Sequence, residues 1–196
     1  MTLPLVVAIT GATGVIYGVE LLRVLKELRQ ETHLILSEAA GMNLAIETDV
    51  SLDEVRSLAD VVYNNRDVGA AVASGSFRTR GMIVAPCTIK TLSAIANSFT
   101  ANLVVRAADV QLKEGRKLVL MVRETPLHKG HLELMARAAD CGAVILPPMP
   151  AFYHRPSTIM DIVHQSIGKA LDQVGVEHDL FRRWSGHGAS ARLHAA

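Results

Sequence analysis

The sequence predicts an α/β protein built around a central parallel sheet. Short β-branched apolar runs alternate with segments of helical spacing along the chain, the pattern of strands joined through helices. The runs are nearly continuous in apolar residues, as expected of strands covered on both faces. Such strands pair in parallel through right-handed crossovers. Residues 3–10 (LPLVVAIT) form the first strand, broken by Gly11 and Gly14. Residues 15–28 follow as a helix, with Val19, Leu22, Leu25 and Leu28 on one face. Residues 32–37 (THLILS) read as the second strand and 39–47 as the second helix. Residues 53–65 and 67–74 are mixed and read as irregular or short helical. The third strand is 81–86 (GMIVAP), closed by a proline, with helical spacing over 91–96. The fourth strand is 118–122 (LVLMV), followed by a helix over 131–139 and a fifth strand over 143–146. Pro147, Pro148 and Pro150 stop that strand. Residues 158–174 close the domain as a helix with Ile159, Ile162, Val163, Ser166, Ile167, Ala170 and Val174 on one face.

The length of 196 residues fits one domain, expected over residues 1–184, with a flexible tail over 185–196. Twenty basic against nineteen acidic residues leave a net charge of +1, so no nucleic-acid or membrane-binding electrostatic patch is expected. Aromatic residues make up only 4%, which argues against a base-stacking surface. Apolar runs such as 142–146 fall far short of a membrane span. The amino terminus lacks a basic segment and reads as a strand rather than a signal peptide. Cys87 and Cys141 stand far apart with no CxxC, which excludes a disulfide scaffold and points to a reducing cytoplasm.

In open parallel sheets, ligands bind beyond the carboxyl ends of the strands. The chemistry-bearing residues cluster in those segments. Thr10-Gly-Ala-Thr-Gly14 follows the first strand and opens a helix, whose amino terminus suits a phosphate. Its GxxGxxxG spacing is not GxGxxG, and the second strand ends in Ser37 rather than an acidic residue. A dinucleotide site is therefore disfavoured, whereas a mononucleotide or flavin phosphate stays open, as does a plain turn. Pro86-Cys-Thr-Ile-Lys-Thr91 sets hydroxyls and a lysine at a helix start, where Thr88 could equally serve as an N-cap alone. Cys87 reads as a small buried residue, and 74–77 (SGSF) as a loop. Arg106 and Lys113 bracket an eight-residue stretch, and Arg123-Glu124 follows the fourth strand. An arginine there can fork onto phosphate oxygens; its neighbour is either an ion-pair partner or a proton-transfer group. HKGH over 128–131 has metal-like spacing but no third ligand in sequence, so no metal is expected. Tyr153 stands at the fifth strand's end and Lys169 on the final helix.

Together these segments resemble the flavin prenyltransferase (UbiX/Pad1) family. TGATG, ETHLILS, SGSFRT, GMIVAPC, IKTL, RAADV, RETPL and PPMPAFY occur in order, and the resemblance as a whole runs over residues 6 to 184. The ETHLILS and SGSFRT wording further resembles the branch linked to hydroxyaromatic acid decarboxylase operons, long labelled as a component of the decarboxylase itself. The resemblance implies a three-layer Rossmann-like domain that binds FMN. It implies an enzyme that joins a dimethylallyl group from dimethylallyl phosphate to N5 and C6 of reduced FMN, closing a fourth ring. The prenylated FMN then serves a separate UbiD-type decarboxylase, and members assemble as homododecamers. Carried onto this sequence, the FMN site falls on Gly11, Ala12, Thr13, Ser37, Thr88, Ile89, Lys90, Thr91 and Arg123. The allylic phosphate falls to Tyr153 and Lys169, with Arg106, Lys113 and Glu124 as the catalytic group. Thr13 and Thr88 replace commoner serines and keep the hydroxyl. Lys169 replaces a commoner arginine, keeping the charge and losing the bidentate fork.

Fixed cations could neutralise a leaving monophosphate without a metal, and no DDxxD-type box is present. Two other readings share the fold. A cysteine decarboxylase would need a histidine on the first helix, and residues 15–28 contain none. A non-catalytic FMN-binding accessory protein of the decarboxylase would have no use for Arg106, Lys113, Glu124 and Tyr153.

Overall fold

The computed structural model describes residues 3–186. The expected tail therefore lies outside the described residues from residue 187 onward. Six parallel strands form one sheet: β1 (Leu5–Ile9), β2 (Thr32–Leu36), β3 (Val61–Asn64), β4 (Gly81–Cys87), β5 (Lys117–Val122) and β6 (Ala143–Ile145). Their order is β3-β2-β1-β4-β5-β6. The helices are α1 (Ile16–Glu27), α2 (Glu38–Glu47), α3 (Leu52–Ser57), α4 (Ile89–Ala96), α5 (Leu103–Lys113), α6 (Lys129–Asp140) and α7 (Ile159–Gln173).

The period of two along each strand splits the core into two layers. Leu5, Val7 and Ile9 face a cluster with Val19 and Leu22 of α1 and Ile167 and Ala170 of α7. Val6 and Ala8 face the other, with Leu92 of α4, Leu103 and Ala107 of α5 and Ala138 of α6. Helices thus cover both faces, which is the three-layer Rossmann-like arrangement. Gly18 lets α1 lie hard against the sheet: a Cβ there would stand 2.4 Å from the Ala85 carbonyl oxygen.

Two elements depart from the sequence reading. β3 lies within the stretch expected to be irregular or short helical. It is a four-residue edge strand whose half-buried and exposed positions alternate, so it carries no continuous apolar run. α5 spans the stretch in which the sequence marks only Arg106 and Lys113; it opens on Leu-Val-Val, which reads as strand by local preference. Its helical state follows from burial of Leu103, Ala107 and Val110 along one stripe. Two expected face residues also point outward: Leu28 is 42% exposed and Ile159 82%. Among the described residues, no helix is long and apolar enough to cross a membrane.

Candidate active site

The chain runs outward from β1 through β2 to β3, then returns to β4 on the other side of β1. That reversal opens a crevice at the carboxyl ends of β1 and β4. Thr10 ties its two walls. Its backbone N–H and hydroxyl both donate to the Pro86 carbonyl, at 3.2 and 2.8 Å, and its hydroxyl oxygen accepts the Thr88 N–H at 2.9 Å. The neighbouring strand ends stay in register through Ser37 N–H to the Ile9 carbonyl and Arg123 N–H to the Cys87 carbonyl, both 3.1 Å. The crevice therefore brings together the 10–14 turn, Ser37, residues 88–91 and Arg123.

Ser37 and Thr88 both act as N-caps. Ser37 Oγ accepts the Ala40 N–H at 3.1 Å and Thr88 Oγ1 the Thr91 N–H at 3.0 Å. The Thr88 hydroxyl also donates to Thr91 Oγ1 at 2.9 Å, which leaves the Thr91 proton directed elsewhere.

The start of α1 differs from expectation. Its first N–H groups are not open to an anion, because the Glu47 carboxylate accepts from Gly14 N at 2.7 Å and Val15 N at 3.1 Å. The N–H groups of Gly11, Ala12 and Thr13 meet no acceptor among the described residues. Asn43 steadies the same turn through a 3.0 Å bond to the Gly11 carbonyl. Glu47 and Asn43 lie more than thirty positions from the turn, and no local pattern marks them. Burial raises the Tyr17 phenol above its ordinary pKa, with Ser166 and the Arg123 charge opposing the shift. Tyr17 and Ser166 thus line the Arg123 side. Beside residues 90 and 91 a cavity of about 500 Å³ opens between α4 and α5, reaching Phe99, Asn102 and Val105.

Of the other candidates, Glu124 directly follows Arg123, and Arg106, Lys113 and Lys169 are tied to neighbouring groups of their own. Arg106 Nε donates to the Ala73 carbonyl at 3.1 Å and its guanidinium pairs with Asp109 at 3.3 Å. Lys113 pairs with Glu114 at 2.5 Å. Neither forms an ion pair with Glu124, which is exposed and accepts its neighbour Thr125's N–H at 3.0 Å. Lys113 ends α5 at the amino edge of the sheet, four residues before Lys117, which registers with Gly81. Arg123 lies at the opposite edge. Tyr153 is on the loop after β6, and Lys169 lies near the end of α7 with its Nζ 3.7 Å from Asp172.

Cys87 is fully buried, and burial pushes its thiol up to about 12, so it is no nucleophile at neutral pH. His128 and His131 stack with ring centroids 3.6 Å apart. Among the described residues, no group of three or more His, Cys, Asp and Glu side chains could hold a metal ion.

The Flavoprotein family model matches residues 2–170. The flavin prenyltransferase UbiX of Thauera aromatica is 57% identical over 93% of this chain and 94% of its own length. The crystal structure of AnUbiX (PadA1) in complex with FMN and dimethylallyl pyrophosphate superposes with a TM-score of 0.93 at 48% identity, covering 95% of this chain and all of that one. The dodecameric FMN-dependent UbiX-like decarboxylase from Escherichia coli O157:H7 does so with a TM-score of 0.91 at 50% identity, covering 93% and 100%.

Proposed function

From the premise that the chain belongs to the flavin prenyltransferases of the Flavoprotein family, we propose how its residues divide the work. The activity is transfer of a dimethylallyl group from dimethylallyl phosphate to reduced FMN. The observation that carries the assignment of residues is the crevice between β1 and β4, with its hydroxyls, unpartnered N–H groups and one arginine.

That donor set fits a phosphate-bearing, hydroxyl-rich cofactor. Gly11, Ala12 and Thr13 offer N–H groups; Thr13, Ser37, Thr88 and Thr91 offer hydroxyls; Ile89 and Lys90 form the wall; and Arg123 offers a fork for phosphate oxygens. When bound, reduced FMN supplies the nucleophilic N5 and the C6 at which the fourth ring closes. The protein supplies orientation and fixed charge.

Tyr153 and Lys169 hold the allylic phosphate. Arg106 and Lys113 neutralise it as its C–O bond breaks, in place of a metal. Ring closure takes one proton onto the allyl alkene and releases one from C6, and Glu124 gives the first and accepts the second; its exposed carboxylate has no cationic partner among the described residues. Lys113 reaches a site at the carboxyl edge only from another copy, so the working unit is a homo-oligomer. The dodecameric relative supports this reading. Residues 1–184 serve as one flavin-binding unit, in the cytoplasm, where both thiols stay reduced. The product passes to a UbiD-type decarboxylase.

Anaerobic incubation with reduced FMN and dimethylallyl phosphate, followed by mass spectrometry of the bound flavin, tests the reading. A flavin heavier by one dimethylallyl group is expected; an unchanged flavin mass overturns it.

A further inference from the structure

The segment after α7 is seated on that helix. Phe181 and His178 pack against Gly168, where a Cβ would stand 2.5 Å from Phe181 Cε1 and 2.7 Å from His178 Cε1. The His178 side chain is 1% exposed, with Nε2 2.9 Å from the Gly168 carbonyl and 3.1 Å from Asp172 Oδ1. Arg183 then closes onto Asp172 with two hydrogen bonds, 3.0 Å to Oδ2 and 2.7 Å to Oδ1. Its guanidinium carbon also lies 5.3 Å from the Phe181 ring centre. Lys169 approaches the same carboxylate at 3.7 Å. The next residue, Trp184, meets the Tyr153 ring edge-on at 6.2 Å.

Asp172 is therefore one carboxylate between two permanent cations. These three groups together carry a net positive charge, which stands beside Tyr153, with Asp179 the further carboxylate near Arg183. Two of the five N–H donors of Arg183 are taken by Asp172, and one of the same nitrogens lies 3.4 Å from His178 Nε2; the Nε–H and the second N–H of the other terminal nitrogen are left for another oxyanion. Lys169 presents only a point charge. Arg183 is held above its ordinary pKa first by its bond to Asp172, with Tyr153 and Asp179 close enough to add to the effect.

We propose that Arg183 is a further binding residue for the allylic phosphate, carried to Tyr153 and Lys169 by the C-terminal segment and oriented there by Asp172. The proposal rests on the reading that Tyr153 and Lys169 hold that phosphate. Gly168 and Asp172 are positioning residues. Gly168 lets the segment seat, and Asp172 sets the plane of the guanidinium.

Steady-state kinetics with dimethylallyl phosphate, and inorganic phosphate as competitor, test it. In Arg183→Ala, KM should rise about 10- to 100-fold, the worth of one charge-assisted contact, and by more than kcat falls. Inhibition by inorganic phosphate should weaken in step, and Arg183→Lys should recover part of both. Gly168→Ala removes no charge and suits a helix, yet it displaces Phe181 and His178; KM should rise there too. Tyr153→Phe and Lys169→Ala serve as the reference pair. If neither moves KM, the phosphate reading itself fails. If they raise KM while Arg183→Ala and Gly168→Ala leave it within twofold of the parent, the role of Arg183 alone is overturned.

Discussion

Replacing Gly18 with alanine tests whether the first helix must lie as close to the sheet as it does. The new methyl would stand 2.4 Å from the Ala85 carbonyl oxygen and 2.7 Å from Ile9 Cδ1 and Cγ1. The Ile9 side chain can turn away. The carbonyl is backbone of β4, next to Pro86, whose own carbonyl is fixed by the two Thr10 hydrogen bonds, and it yields little. An ordinary carbon–oxygen contact is about 3.3 Å, so α1 must retreat by roughly 0.9 Å. Overpacking of this kind costs about 1–3 kcal/mol, and a backbone obstacle puts it at the upper end. Alanine returns about 1 kcal/mol through helix propensity. The net loss is then about 2 kcal/mol, or a Tm lower by about 4–8 °C in a chain of this length. FMN affinity should fall about tenfold or more, because the turn at residues 10–14 leads directly into α1 and shifts with it. Gly41, inside α2, is the control: a Cβ there meets nothing within 4 Å. Gly41→Ala should raise Tm by about 1–4 °C. Circular-dichroism melts and FMN titrations decide the matter. A Gly18→Ala protein that melts at or above the parent temperature, with parental FMN affinity, would refute the close-approach argument.

Arg123→Ala should weaken FMN binding by about 2–4 kcal/mol, the worth of a buried charged contact; an unchanged titration removes Arg123 from the site. Prenyl transfer should survive EDTA, because fixed cations answer the phosphate charge; loss on chelation with rescue by a divalent ion overturns that account. Glu124→Gln should slow single-turnover transfer by about 10²–10⁴ while both substrates still bind, the usual worth of a positioned acid/base. A near-parental rate assigns the proton to the departing phosphate. Hydrogen bonds from the Ser157 and Thr158 N–H groups hold Asp161 at about 2, below its ordinary 3.8, so its capping of α7 is in force above the higher value and lost as pH falls through the lower. Asp161→Asn should flatten the fall of Tm between about pH 4 and about pH 2, and an identical acid slope in parent and variant would contradict this.

The parts legible in the sequence were those whose cause is local. Apolar runs marked β1, β4 and β5, because strands buried on both faces leave few polar positions to blur them; β2 keeps the mark in Leu34-Ile-Leu36 despite its buried Thr32 and His33, and β6 in its three apolar residues. β3 is half solvated and lacks that mark. α5 was hidden by its opening Leu-Val-Val, whose helical state is decided by packing under β4 and β5. The same division holds at the site. Ser37, Thr88 and Arg123 are readable because each follows a strand directly. Glu47 is not: it caps α1 from the far end of α2, a relation that exists only once both helices have packed. Arg183 carries no mark in the sequence, since its partner Asp172 lies eleven residues back across a change of direction.

The position of Lys113 bears on how the chain works at all. α5 starts at the carboxyl end of β3, where the Leu103 and Val104 N–H groups bond to Asn65. It ends at the opposite edge, with Lys113 against Glu114 and Gly75. Arg116 fastens that edge by donating to the Phe77 and Gly75 carbonyls at 2.8 and 2.6 Å. The whole of β5, six residues and about 20 Å of extended chain, separates this edge from Arg123. No lysine side chain spans that length, and the pinned loop cannot swing to shorten it. A reaction that uses Lys113 and Arg123 together therefore needs the amino edge of one copy to meet the carboxyl edge of another. Dilution into monomers should then silence chemistry before it unfolds the chain, since each copy keeps its own two-layered core on both faces of the sheet.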